Sequence, residues 1–346
     1  MRRPIDLSEF AKLPHINTGA LNGRTILLMP VWDGASWNHW IDTPDGQFIK
    51  IQIVDAARSN YLATSPASEN DLHIPFVDFM WQRASWPEVT RQISAICDDF
   101  HLLATIAAKL EHFHEVHASV DRTLMDAFVK SEIEQLVVVA RSIFDLLQEV
   151  IAHFWNDRIK LIDPKEDALR KQNKAPDTFR KFAMNGEAPR TAEEITNRYA
   201  MPAAVSGVYA KHTPFFASLR KMRDHIIHGG SSVDTIFVTE RGFCIDPQSK
   251  YFSGFAWKPE HHYNQNIVSL RPWIGDIIIR TIDACSEIMS SLASVVPFPP
   301  PIAPNYQIFI RDPSNRALTR LLDAAKGNLI WWSEGPAEAT EPVRNG

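Results

Sequence analysis

Apolar residues recur at alternating steps of three and four along two long stretches of the chain, the spacing of a buried helix face. The first stretch opens with Ser85-Trp-Pro-Glu88, which matches a capping box, and it runs to about Ala118. The second stretch starts at Asp121 and runs to about Asp157. The two apolar stripes are Val89, Ile93, Ile96, Phe100, Leu103, Ala107 and Leu110, then Ile133, Leu136, Ala140, Ile143, Leu147, Val150 and Phe154. Because the link between these helices is short, we expect them to pack antiparallel, as in a bundle.

Three further helices follow from local signals. A run around Ala192–Lys211 is broken near Pro202, and an apolar stripe predicts a helix from about Pro272 to Val295. Between them, Thr213 suits an N-cap and Pro214 suits the first helical position. Gly229 and Gly230 supply a stop, so the sequence predicts a short helix over Thr213–His228.

Strands are predicted near both ends of the chain and after the short helix. The predicted strands are Thr25–Trp32, Gln47–Val54, Thr235–Val238 and Phe243–Ile245 as a hairpin, Gln307–Ile310, and Asn328–Trp332, with a helix over Ser314–Lys326 between the last two. The prolines of 297–304 favour a stiff, extended linker. We therefore expect a mainly α-helical protein with three parts: a mixed strand and irregular region over 1–84, a helical bundle over 85–296, and a Pro-rich linker with a small α/β appendage over 297–346.

Composition excludes several classes of protein. The 346 residues are 45% apolar and carry a net charge of −5, so a sizeable core is expected and a basic field over the whole surface is not. Cys97, Cys244 and Cys285 form no CxxC pair, which predicts reduced, buried thiols rather than a disulfide framework or a thiolate zinc site. The N-terminal residues lack a signal peptide pattern and no apolar run has bilayer length. We expect a soluble, cytoplasmic protein with no membrane partner.

The predicted helix over 213–228 concentrates the candidate chemistry. At roughly 100° per residue, an apolar arc of Phe215, Leu219, Met222 and Ile226 adjoins a mixed arc of Phe216, Arg220, Arg223, Asp224, Ile227 and His228. Because the mixed arc contains apolar residues, we expect it to face another subunit across a partly dry cleft. Asp224 and His228 lie four residues apart, so the carboxylate is placed to orient the imidazole. Arg223 offers a fork of donors that suits phosphate oxygens.

Arg223-Asp-His-Ile-Ile-His228 resembles the Arg-x(4–6)-His signature of HEPN domains (higher eukaryotes and prokaryotes nucleotide-binding). The residue after the arginine is typically polar in that family, and here it is Asp224. Outside this motif the resemblance is one of helical layout over 85–296. It implies an antiparallel helical bundle that forms a homodimer across the motif helix. Many members are metal-independent endoribonucleases of toxin–antitoxin, phage-defence and RNA-processing systems.

The resemblance implies cleavage of RNA by attack of a 2′-hydroxyl on the adjacent phosphorus, with no cofactor. His228 would move the proton, Arg223 would stabilise charge on the phosphoryl group, and Asp224 would orient the histidine. Phosphate-binding candidates are Arg220 and Lys221 on the motif helix, together with Lys171 and Lys174 in the basic stretch Ala168–Phe182. The expected partners are RNA, a second copy of the chain, and an antitoxin or another protein of a defence complex.

Other interpretations stay open. The chain is alternatively a non-catalytic module that binds RNA or a nucleotide, or a structural partner in a defence complex. The motif is also compatible with a polar helix end whose histidines, His225 and His228, lie favourably near the negative end of the helix dipole. His114-Glu-Val-His117 is one residue short of a zinc-binding HExxH motif, so no metal is predicted there. Arg141 and Asp145 have the spacing of an intrahelical ion pair.

Overall fold

The computed structural model describes residues 29–32, 37–42, 48–51, 58–228, 235–252 and 254–334, with only the backbone described for 29–51 and for 225–228. Contacts divide the chain into two compact units, Met1–Ala57 and Arg58–Gly346. The boundaries predicted at 84/85 and 296/297 both lie inside the larger unit. The architecture is mainly α-helical, as the apolar periodicity predicted.

The helices of the larger unit account for most of its described residues. They are α1 Pro75–Arg83, α2 Thr90–Val116, α3 Arg122–His153, α4 Pro164–Gln172, α5 Phe179–Ala183, α6 Ala192–Tyr199, α7 Ala203–His228, α8 Arg271–Val295 and α9 Asn315–Ala325. A single π-helical turn, Phe154–Arg158, continues α3 at its end. No described helix combines the length and the apolar character needed to cross a bilayer.

Helices α2 and α3 form the predicted antiparallel pair. Asp121 caps α3 by accepting hydrogen bonds from the amides of Thr123 and Leu124. Cross-helix partners keep a constant register along the pair. These partners are Gln92 with Glu149, Lys109 with Glu132, and the stacked rings of Phe113 and Phe128. The prediction of a helical hairpin over 85–157 is confirmed apart from its first residues.

The predicted capping box at Ser85 is wrong. The Ser85 hydroxyl donates instead to the carbonyl of Trp81, 2.8 Å away at the end of α1, and Glu88 pairs with Arg158. Helix α2 therefore begins only at Thr90, with Val89 in the capping position. Tertiary partners have taken both side chains that a local capping box requires.

The predicted helix start at Thr213 is also wrong, because α7 is one helix from Ala203 to His228 with Pro214 in its interior. Thr213 is fully buried, and its hydroxyl donates to the carbonyl of Tyr209 at 2.6 Å, one turn earlier, rather than capping the next turn. Proline normally interrupts a helix. Here the buried face continues across it, since Tyr209 lies before it and Phe215 after it in the same core.

The strands form small antiparallel sheets. In the unit Met1–Ala57, β1 Met29–Trp32, β2 Trp37–Asp42 and β3 Phe48–Ile51 pair in the order β1-β2-β3. The predicted strands Thr25–Trp32 and Gln47–Val54 coincide with β1 and β3, and their remaining residues lie outside the described ranges. In the larger unit the strands are β4 Ser59–Ala63, β5 Met184–Asn185, β6 Ala188–Pro189, β7 Phe237–Thr239, β8 Gly242–Ile245, β9 Val268–Ser269 and β10 Gln307–Arg311.

The hairpin predicted over 235–245 is confirmed by the pairing of β7 with β8, and β9 extends this sheet. The strand predicted over Asn328–Trp332 is wrong. Leu329 has a positive φ of 48°, and the carbonyls of Leu329 and Trp331 accept hydrogen bonds from the buried Arg271 guanidinium. A side chain therefore satisfies backbone groups that a strand would have paired along a sheet edge.

The C-terminal segment packs onto the helices. Strand β10 pairs with β4, more than two hundred residues earlier, from Gln307 opposite Ala63 to Arg311 opposite Ser59. The Pro-rich segment is held by Arg83, whose guanidinium donates to the carbonyls of Phe298 and Pro299. This proline segment, predicted as a stiff, extended linker, is therefore held against the larger unit.

Candidate active site

The second half of α7 lies on a cluster of aromatic rings. Phe216 is fully buried, with its ring centroid 4.6 Å from that of Phe179 in α5 and 5.6 Å from that of Phe144 in α3. Tyr209 joins the cluster at 5.4 Å from Phe179 and donates its hydroxyl to Gln148. These contacts fix the rotation of α7 about its own axis, and hence the direction of its polar face.

The cluster corrects one part of the sequence analysis. Phe216 was assigned to a mixed arc facing a second subunit, yet helices α3 and α5 of the same chain cover its ring completely. One of the two apolar residues that favoured a subunit interface is therefore core, and the side chain of the other, Ile227, lies outside the described residues. Homodimer formation stays a prediction.

Arg220, Arg223 and Asp224 form one connected group on the polar face of α7. Asp224 forms ion pairs with both arginines, at 3.3 Å from Arg220 Nε and 3.1 Å from Arg223 Nη1, and it accepts a hydrogen bond from the latter. The side chains of Arg223 and Asp224 are 31% and 35% exposed, so both are half-buried rather than freely solvated. Only one nitrogen of Arg223 is in this ion pair, and among the described residues its other donors have no further carboxylate partner.

Glu187 connects α7 to the β5–β6 hairpin. Gly186, at φ 63°, and Glu187 form the two-residue turn between Asn185 and Ala188. Glycine with positive φ in the first turn position is typical of a type II′ hairpin. Glu187 then binds Arg220 Nη1 and, at 3.2 Å, Arg180 Nη2. The Arg220 guanidinium lowers the pKa of Glu187, and the same pair raises the pKa of Arg220.

Asp145 approaches the group from α3. Its carboxylate pairs with Arg141 at 3.2 Å, so the predicted ion pair is confirmed, and it accepts the backbone amide of Phe179 at 3.1 Å. Burial raises the pKa of Asp145, while the positive charges of Arg141 and then Arg223 oppose that shift. The charge of Arg223 therefore contributes a small opposing effect on the pKa of Asp145.

The predicted proton carrier, His228, is the last residue of α7, and its side chain lies outside the described residues, as do those of 225–227. Because the helix continues through this position, Asp224 and His228 lie one turn apart on the same backbone. The predicted contact between their side chains stays a prediction.

The four predicted phosphate-binding residues have different surroundings. Arg220 is only 13% exposed and is held by Glu187 and Asp224, which favours a role in positioning Asp224. Lys221 is exposed beside a groove of about 520 Å³ that Glu187 and Met222 also line. Lys171 is paired with Asp167 within α4 at 2.6 Å. Lys174 extends into a different cavity, and it shares this cavity with residues that the sequence analysis did not select.

This second cavity, here called the basic cleft, has a volume of about 740 Å³. Its cationic lining residues are Arg141, Lys174, Arg180, Lys181, Arg190 and Arg198. No Asp or Glu is among the described residues that line it. The basic stretch Ala168–Phe182 was a usable signal for three of the six. Arg190 and Arg198 gave no signal, because only folding brings the segment after β6 and the end of α6 beside that stretch.

Within the described ranges, no group of three His, Cys, Asp or Glu side chains is arranged to hold a metal ion. At the end of α2, His114 and His117 stack on each other at 5.2 Å, and His117 Nδ1 contacts the carbonyl of His114. Cys97, Cys244 and Cys285 are buried and unpaired, as predicted.

No protein-family model, no curated protein and no solved structure matches the chain. The HEPN resemblance therefore stays a prediction that rests on the motif residues and on the helical layout.

Proposed function

We propose that this protein is an HEPN-like, metal-independent endoribonuclease whose reaction centre includes Arg223, Asp224 and His228. The observation that carries the proposal is the half-buried Arg223 near the end of α7, which Asp224 holds through one nitrogen and whose other donors pair with no carboxylate among the described residues. A guanidinium in that state is positioned before any substrate binds, so it stabilises developing negative charge without having to be reorganised. The long antiparallel pair α2–α3, of which α3 packs against α7, supports the proposed HEPN-like bundle.

The proposed reaction is an intramolecular transesterification of RNA. The 2′-oxygen of one ribose bonds to the adjacent phosphorus as its proton leaves, and the bond from phosphorus to the 5′-oxygen of the next nucleotide breaks. The products are a 2′,3′-cyclic phosphate end and a 5′-hydroxyl end, and no water is consumed. His228 moves the proton, and Arg223 binds the non-bridging phosphoryl oxygens.

Asp224 has a positioning role in this proposal. It pairs directly with Arg223. Asp224 also pairs with Arg220, and Arg220 in turn pairs with Glu187. On the helix backbone Asp224 is one turn from His228, the spacing at which a carboxylate orients an imidazole. Its loss is therefore expected to weaken catalysis without removing either reacting group.

The proposal is tested by incubating the protein with single-stranded RNA in excess EDTA and identifying the product ends by mass spectrometry. Wild type is expected to produce cyclic phosphate ends. Arg223→Ala and His228→Ala are expected to lose cleavage by about 10²-fold or more. Arg91→Ala, at an exposed position of α2, is the control and should cleave like wild type. Wild-type protein that binds RNA without cutting it, or Arg223→Ala protein that cuts normally, would refute the proposal.

A conservative substitution separates charge from geometry. Arg223→Lys keeps the positive charge but loses the planar fork, so it should fold normally and recover only part of the lost rate. Full recovery would mean that Arg223 acts as a general positive charge and not through bidentate contact with phosphate.

The second candidate function is binding of RNA or a nucleotide without cleavage, and the basic cleft favours it, because anion binding there requires no proton carrier. Under this alternative the wild type binds RNA and both motif variants bind equally well. We also propose a homodimer and a role in phage defence or as a regulated toxin, both from the family resemblance. Sedimentation of the purified chain and growth of cells that express wild type or Arg223→Ala test these two expectations.

A further inference from the structure

The basic cleft is built from separate parts of the chain. Arg141 comes from α3, Lys174 from the loop after α4, Arg180 and Lys181 from α5, Arg190 from the segment after β6, and Arg198 from α6. Positive charges on a single helix face are usually only solvated. Convergence of five segments on one cavity places like charges together. Carboxylates outside the cleft lining, Asp145, Asp157 and Glu187, pair with Arg141, Lys174 and Arg180, so the surplus positive charge belongs to the other three cations.

Three of these cations lack a counter-charge. Among the described residues, no carboxylate lies within ion-pair distance of Lys181, Arg190 or Arg198. The Arg190 Nε atom is buried from solvent and has no hydrogen-bond acceptor in the described part of the chain.

The wall of the cleft leaves open space beside Gly186, and the described residues of its lining offer no surface for base stacking. At Gly186, an added Cβ would meet nothing within 4 Å, so this part of the β5–β6 turn is open. The aromatic residue of the lining, Tyr199, is 3% exposed and offers no free ring face. Recognition in this cleft therefore depends on charge and hydrogen bonding rather than on base stacking.

The cleft is joined to the candidate active site by ion pairs. Arg180, on the cleft wall, pairs with Glu187, which pairs with Arg220 of α7. On the other side, Arg141 pairs with Asp145 of α3. A strand lying in the cleft would thus be led toward the polar end of α7.

We propose that the basic cleft binds the sugar-phosphate backbone of single-stranded RNA, without base preference, and guides it to Arg223. The choice of RNA as the polyanion rests on the proposed function, whereas the binding of phosphodiesters rests on the cleft alone. The strand is single because in-line attack by a 2′-hydroxyl requires a flexible, unstacked backbone.

The test measures binding of a fluorescent 2′-O-methyl oligouridine by anisotropy, in EDTA, over a range of salt concentrations. This probe keeps the phosphates and cannot be cleaved. For single strands the logarithm of affinity falls with the logarithm of salt by about 0.7 per phosphate contacted. The double variant Lys181→Gln/Arg198→Gln changes two exposed side chains, so it should fold normally and reduce the slope by about 1.4.

The matched control is Arg91→Gln/Arg316→Gln, which removes the same charge from exposed positions of α2 and α9 outside the cleft. Its slope should equal that of wild type. If the two double variants change the slope equally, long-range charge explains the binding and the proposal fails. A third variant, Arg190→Gln, should weaken binding more than either single exposed change, and circular dichroism checks that it folds.

The outcomes also separate the cleft from the proposed nuclease. If wild type binds the oligonucleotide through the cleft but never cuts RNA, the nuclease proposal fails and the cleft stands. If the cleft double variant binds the oligonucleotide like wild type and also cuts RNA normally, the cleft proposal fails and the nuclease proposal stands. Displacement of the probe by micromolar tripolyphosphate would overturn the assignment to RNA backbone, as would tighter binding of a duplex probe.

Discussion

Replacing Phe216 by Ala tests whether the aromatic cluster beneath α7 belongs to the core of one chain. The Phe216 ring is fully buried, with neighbouring rings at 4.6 Å and 5.6 Å in Phe179 and Phe144. Truncation of a buried Phe to Ala lowers the free energy of unfolding by about 3–5 kcal/mol. Loss of two well-placed aromatic contacts favours the upper part of that range. We therefore expect a decrease of about 4 kcal/mol.

The measurement is urea unfolding followed by fluorescence and by circular dichroism, at two widely separated protein concentrations. A core position shifts the unfolding midpoint equally at both concentrations, because folding of the chain is unimolecular. A position at a subunit interface shifts the midpoint in a concentration-dependent way, because dissociation precedes unfolding. The expected result for Phe216→Ala is a large shift that does not depend on concentration.

Two variants serve as controls. Phe216→Leu keeps most of the apolar volume, so it should be destabilised much less than Phe216→Ala. Leu124→Ala, at a position 47% exposed on α3, should change stability by less than about 0.5 kcal/mol. A loss below about 1 kcal/mol for Phe216→Ala, or a clear dependence on protein concentration, would refute the conclusion that α3 and α5 cover this ring.

Three further predictions concern stability. Asp71 accepts two hydrogen bonds from Arg311, which lowers its pKa from 3.8 to about 2. Its contribution, roughly 1–2 kcal/mol after allowance for the exposed arginine, is complete above pH 4 and is lost as the pH falls toward 2. Asp71→Asn should therefore lower stability at neutral pH and flatten the acid limb of the stability profile. Gly275→Ala would place its Cβ 2.3 Å from the Leu321 carbonyl oxygen and should lower the free energy of unfolding by about 1–3 kcal/mol. Asp121→Ala removes the cap of α3 and should lower it by about 1 kcal/mol.

Urea unfolding checks all three, each beside its own comparison. If the stability of Asp71→Asn falls with acid as steeply as that of wild type, the Asp71–Arg311 ion pair is not the cause of the acid limb. Gly207→Ala is the matched glycine control, because its Cβ would meet nothing within 4 Å, and it should stabilise α7 by about 0.5–1 kcal/mol. Asp163→Ala removes the cap of the short helix α4 and should affect stability less than Asp121→Ala. An equal or larger effect at Asp163 would contradict the importance of the α3 cap.

The elements that the sequence predicted well are those whose signals are local. Stripes of apolar residues predicted α2, α3 and α8, and Asp121 marked the start of α3, because periodicity and capping involve residues within a few positions of each other. The hairpin β7–β8 was recognisable for the same reason. In the candidate site, local spacing predicted the ion pair of Arg141 with Asp145, whereas the contacts of Asp224 with Arg220 and Arg223 were not predicted.

Other features were decided by tertiary contacts. Ser85 and Thr213 carried local capping signals, but each hydroxyl bonds to the carbonyl one turn earlier because the packed helices continue or end elsewhere. The helical wheel predicted that Phe216 belongs to a subunit interface, but α3 and α5 bury its ring. Burial depends on which segment lies opposite, and no window of sequence contains that information.

The basic cleft shows the same limit at the level of function. The helical class, the Arg223-to-His228 motif and the charge of each cationic stretch can all be read from local sequence. Only the tertiary structure brought Arg141, Arg190 and Arg198 around one cavity and left the last two without a carboxylate partner among the described residues. Electrostatic interaction depends on distance in space, and residues from five segments become neighbours only when the chain folds.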